Sequence, residues 1–225
     1  MAMKSLACNK GFTLTELLVA IAVSGVVMAG IYSSFYSQQK TFVAQEQTAA
    51  MQQNLRAAIY LMEREIRMAG YDPTGDAGAG IHTPGANAIR ITKDMTDDSG
   101  TAGPDGDTGD VNEDVTYALF DADGDGDMDL GRNDVNGVGN QPMAENIDAL
   151  NFIYLDQNGS PTANVSEMRS VQITVVARAG RPDLGYSGSG SFQNQQGQTI
   201  FTPPSGDNFR RKLLTAEVKC RNLDL

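Results

Sequence analysis

The chain has 225 residues, a formal net charge of −11, no tryptophan, two cysteines and one histidine. That length suits one modest domain with an added segment. The acidity argues against nucleic-acid backbones as partners of the folded part, and it suits divalent cations or basic protein surfaces.

The first element is an apolar helix. Lys4, Lys10 and Gly11 precede it, and from Phe12 to Phe35 the only ionisable side chains are Glu16 and Tyr32. These 24 residues are enough to cross a hydrocarbon layer of about 30 Å. The two lysines predict a cytoplasmic amino terminus. A lone acid in such a segment costs roughly 2.5–3.5 kcal/mol on insertion scales for comparable charges, so Glu16 is expected to have a partner. Two alternatives are a secretory signal with Ala20-Ile21-Ala22 as its small-residue site, and a plain membrane anchor. The apolar run continues past Ala22, and Glu16 would interrupt the hydrophobic region of a secretory signal.

The segment Lys10-Gly-Phe-Thr-Leu-Thr-Glu-Leu-Leu-Val19 resembles the class III signal of type IV prepilins. The resemblance implies that prepilin peptidase cuts between Gly11 and Phe12 and methylates the new amino terminus. It also implies that this ammonium pairs with Glu16 of a neighbouring subunit in a helical filament. The chain would cross the inner membrane once and then enter an extracellular pilus. Removing the leader, residues 1–11, would leave 214 residues, a charge of −13 without Lys4 and Lys10, and Cys220 without the Cys8 of the leader. No internal disulfide is then expected, and Cys220 reads as a small apolar residue buried on a strand.

The membrane or filament-core helix, 12–36, is expected to continue as an amphipathic helix over 37–70. Met51, Leu55, Ile59, Met62 and Ile66 recur at spacings of four, four, three and four, which is one helix face. That face predicts packing against the chain's own globular part. Gly70 followed by Tyr71-Asp72-Pro73 is a helix stop. Residues 71–225 read as a β-rich domain. Ala88–Thr92, Val115–Phe120, Ile147–Leu155, Val171–Arg178 and Leu213–Cys220 are strand candidates. Lys93 to Asp114 reads as a long acidic loop, and Ala179 to Asp207 as a mobile loop rich in Gly, Ser, Gln and Asn. A long helix followed by strands predicts an α+β fold, with an antiparallel sheet packed on the helix.

Between the second and third strand candidates, Asp121, Asp123, Asp125, Gly126 and Asp129 fit positions 1, 3, 5, 6 and 9 of a calcium loop, and Asp127 would offer its carbonyl at position 7. Position 12, where an EF-hand has a bidentate Glu, is Arg132; Asp134 would substitute only in a longer loop. Ca2+ is the expected ligand, and a solvated acidic turn is the alternative. The acids of Asp94–Asp114 are less regularly spaced and read as a solvated loop.

Three later segments resemble PilW-type minor pilins: Ala144–Gly159, Arg169–Arg178 and Arg210–Leu223. The resemblance implies a low-abundance subunit that primes assembly with other minor pilins and the major pilin and sits at or near the filament tip. Two other functions remain open: a minor pseudopilin of a type II secretion system, and a calcium-dependent tip adhesin. Enzyme chemistry is not expected. His82, the sole histidine, lies in a Gly/Pro-rich stretch with no nucleophile motif, and no phosphate-binding loop is present.

Overall fold

The computed structural model of the chain describes residues 11–100 and 102–223. Of the leader, Lys4, Cys8 and Lys10 therefore lie outside the described residues. The chain divides into two compact units, one ending at Glu46 and the other beginning at Gln47.

Among the described residues there is one α-helix, α1, which spans Leu14–Arg67. In the first unit every side chain from Gly11 to Val43 is exposed, including Phe12, Leu14, Val26 and Phe35. This is the one helix among the described residues that is long and apolar enough to cross a membrane. The sequence predicts a start at Phe12, whereas the helix begins two residues later, because Thr13 caps it.

In the second unit, α1 buries Met51, Leu55, Ala58, Ile59, Met62 and Ile66. These include all five residues of the predicted stripe. The last α-helical residue is Arg67, and residues 68–70 continue as a turn. Gly70 takes φ +80, a left-handed conformation that glycine adopts without Cβ strain, and it packs against Leu223 and Asn222.

Ten strands follow. β1 (Ile81–Pro84), β2 (Ile89–Thr92), β3 (Asp114–Phe120), β4 (Asp129–Asp134) and β5 (Gly139–Ala144) form an antiparallel meander in that order. β6 (Ile147–Leu155), β7 (Ser170–Arg178) and β10 (Arg211–Lys219) form a second antiparallel sheet in the order β10-β7-β6. β8 (Phe192–Gln193) and β9 (Thr199–Phe201) pair as a small hairpin. One core joins the helix stripe to both larger sheets, through Ile91, Val115, Tyr117 and Leu130 of the first and Phe152, Ile173 and Val218 of the second. The predicted α+β architecture is therefore present, with the antiparallel strands shared among three sheets rather than gathered in one. The segment 179–207, expected to be a mobile loop, contains the β8–β9 hairpin.

β4 contains Gly131, whose backbone is covered by the Phe120 ring of neighbouring β3. A Cβ on Gly131 would overlap that ring. Gly131→Ala is expected to cost about 1–3 kcal/mol through overpacking. A lower melting temperature with an unchanged far-ultraviolet spectrum is the expected result. An unchanged melting temperature would mean that the ring moves aside at no cost.

Candidate functional site

At the head of α1, Thr13 and Glu16 cap each other. The Thr13 N–H donates to Glu16 Oε2 at 2.9 Å, and the Thr13 hydroxyl donates to the same oxygen at 2.8 Å. In return, the Glu16 N–H donates to Thr13 Oγ1 at 3.3 Å. This is a capping box, and it satisfies donors that the first helical turn leaves orphaned. The negative charge also lies at the positive end of the helix dipole. Thr13-Leu14-Thr15-Glu16 carries the Thr-x-x-Glu signature of this cap in the sequence itself. Both contacts to the carboxylate fall on Oε2, so Oε1 is available to another donor. Gly11 and Phe12 precede the helix, with Phe12 89% exposed. The predicted cleavage point thus lies outside the helix, between two exposed residues.

The predicted calcium loop is the turn between β3 and β4. Ligand atoms of Asp121, Asp123 and Asp125 lie within 4.8 Å of one another, and all three residues are exposed. Their carboxylates mostly serve the loop itself. Asp121 accepts from the N–H groups of Gly124 and Gly126, Asp123 from Asp125 N–H, and Asp125 from Asp127 N–H. Asp127 pairs through its side chain with Arg178. Asp129 is buried on β4, and its two oxygens accept from Ala122 N–H and Asn146 N–H. The structure thus brings three of the five acids together and uses the Asp129 carboxylate to fasten the turn. Asp134 is also outside this group: it is buried, accepts from Asn112 N–H at 3.0 Å and lies 3.7 Å from Arg132.

Arg132, at position 12 of the loop pattern, faces the helix. Its Nε and Nη2 each donate to Glu65, both at 3.1 Å, and Nη2 also donates to Asn112 Oδ1 at 2.8 Å. The Tyr117 hydroxyl donates to the same Glu65 carboxylate. Burial works against the Arg132 charge, but the hydrogen bond and charge of Glu65 hold its pKa above the ordinary value. Burial, and then the Glu65 charge, push the Tyr117 phenol far above its ordinary value. Lys93 is buried nearby. Burial lowers the pKa of its ammonium, with Glu65 opposing and Arg132 and Arg64 adding to the shift.

A second gathering of acids occupies the loop before β3, which the sequence reads as solvated. Asp98, Asp105 and Asp107 form one group with ligand atoms within 4.8 Å, and Asp107, Asp110 and Glu113 form another. Burial first, then the charges of Glu113, Asp105, Asp98 and Asp107, raise the Asp110 pKa above its ordinary value.

The other reactive groups are quiet. His82 Nε2 lies 2.7 Å from Thr92 Oγ1. Cys220 is fully buried just after β10, and burial pushes its thiol up to about 12, so it carries little thiolate at neutral pH.

Residues 6–32 match the family described as the prokaryotic N-terminal methylation motif. The matched stretch contains Gly11, Phe12, the capping box and most of the apolar run. Among solved structures, the chain is similar to the type IV-like pilin TTHA1219 from Thermus thermophilus, with 14% sequence identity and a TM-score of 0.47 over 76% of this chain and 97% of that one. No curated protein matches the chain.

Proposed function

We propose that this chain is a type IV pilin-like subunit made as a prepilin, and more narrowly a minor pilin that primes assembly at or near the filament tip. The reading rests on one coincidence. The methylation motif at residues 6–32 overlies a helix whose apolar side chains are exposed on every side, with one acid in its first turn. Such a surface is stable in lipid or among copies of similar helices, and not in water. The peptidase reaction frees an ammonium at Phe12, beside the Glu16 turn, and the filament brings that charge to the carboxylate of a neighbour. Before assembly, the helix anchors the chain in the inner membrane with its amino terminus in the cytoplasm. The narrower assignment is supported by the PilW-like segments Ala144–Gly159, Arg169–Arg178 and Arg210–Leu223, which form β6, β7 and β10, the three members of one sheet.

Mass spectrometry of the chain from its native host is the direct test. The expected amino terminus is a methylated Phe12. An intact leader in assembled filaments, or a cut near Ala22, would overturn the reading. For the priming role, a strain lacking the chain is expected to make few filaments. Normal filaments together with impaired protein secretion would assign the chain to a secretion pseudopilus instead.

A further inference from the structure

We propose that the loop before β3 is a cation site, in which Asp107, Asp110 and Glu113 bind a divalent ion of the calcium class beside a second acidic group, Asp98 and Asp105, that shares Asp107. The decisive residue is Glu113. It is 1% exposed, and its Oε1 is already committed, accepting from Met95 N–H at 2.6 Å and Thr96 N–H at 2.7 Å. Its Oε2 is buried with no hydrogen-bond partner, and Asp110 Oδ2 is in the same condition. A buried carboxylate oxygen without a donor is costly, and a native fold normally supplies a partner. These orphaned oxygens belong to residues that gather with Asp107.

The spacing fits an ion. Ligand atoms within 4.8 Å of one another are spanned by calcium, which sits about 2.3–2.6 Å from each oxygen. Every available ligand is a carboxylate oxygen, the donor of hard cations rather than of zinc or copper. Asp107 belongs to both groups and so links the exposed acids to the buried pair.

The surroundings hold this loop in place before any ion arrives. Asp94 is fully buried, and its carboxylate accepts from Asp105 N–H at 3.2 Å and Gly106 N–H at 3.0 Å. Asn112 takes φ 70, and its side-chain oxygen is fixed by Arg132. The Asn136 amide donates to the carbonyls of Thr108 and Asp110. Charge balance points the same way. Among the buried acids, Asp114 pairs with Arg90 and Glu65 with Arg132, whereas Asp94 and Glu113 accept from neutral N–H and hydroxyl groups. In the β3–β4 turn, by contrast, Asp121, Asp123 and Asp125 are exposed and accept from N–H groups of their own loop.

The test is calcium titration of the full chain in detergent, followed by calorimetry and by melting temperature. The expected result is saturable binding that raises the melting temperature. Glu113→Gln and Asp107→Asn should each weaken binding at least tenfold. Asp123→Ala combined with Asp125→Ala should leave that affinity unchanged, and magnesium should substitute poorly. If Glu113→Gln does not fold, Asp107→Asn decides, because its side chain is exposed. No binding at millimolar calcium would overturn the proposal, as would wild-type affinity in Asp107→Asn. Loss of binding in the Asp123/Asp125 double variant would move the site to the β3–β4 turn and overturn it equally.

Discussion

Glu16→Ala is expected to insert into the membrane at least as well as the wild-type chain and to be absent from filaments. Removing the acid relieves the cost of carrying a carboxylate in an apolar segment. It also removes the two contacts that Thr13 donates to the carboxylate, while the backbone N–H at position 16 keeps Thr13 as its cap. On the proposed pairing, assembly needs the charge itself, because a neighbour's terminal ammonium has no other acid to meet between Phe12 and Phe35. Glu16→Gln separates the two roles. Glutamine still fits the third helical position of a capping box, but it carries no charge. The expected result is that both variants are found in the membrane fraction and neither in sheared filaments. If Glu16→Gln assembles normally, the role of Glu16 is to cap the helix, and the intersubunit pairing is wrong.

Arg132→Met is expected to destabilise the second unit by about 3–5 kcal/mol, the usual cost of leaving one partner of a buried ion pair uncompensated. Of the donors to its carboxylate Glu65 would keep the Tyr117 hydroxyl, and Asn112 and Asp134 would lose a cationic neighbour. The combined change Arg132→Met with Glu65→Leu should recover a large part of that loss, because apolar groups of similar volume replace a buried pair at little cost. Urea unfolding of the two variants checks both statements. A loss below about 1 kcal/mol in the single variant would mean that water reaches Glu65 and the network is not sealed.

The two residues of this network stand 67 positions apart, and Arg132 sits where the calcium-loop pattern called for an acid. In the sequence it reads as a defect in that pattern. In the structure it is the cation that allows Glu65 to be buried on α1. A similar inversion holds for the acids. Asp121, Asp123 and Asp125 alternate regularly and stand out in the sequence, yet they are exposed and turn onto their own loop. Asp107, Asp110 and Glu113 recur every third residue inside a loop whose acids are otherwise irregularly spaced, and the fold gathers them and buries Glu113.

The sequence by itself determined the features that depend on near neighbours. The Gly11-Phe12 junction, Glu16, the apolar run and the stripe from Met51 to Ile66 are all local, because helix periodicity and membrane length are written in consecutive residues. Ile147–Leu155 and Val171–Arg178 were legible for the same reason, being runs rich in β-branched and aromatic side chains. β4 and β5 were not. Asp-Leu-Gly-Arg-Asn-Asp and Gly-Asn-Gln-Pro-Met-Ala have poor strand propensity, and they become strands only because β3 offers a ladder to extend. The tertiary structure alone decided which acids are buried and which carboxylate oxygens lack a donor. Burial and pairing depend on residues distant in the chain, and no local pattern encodes them.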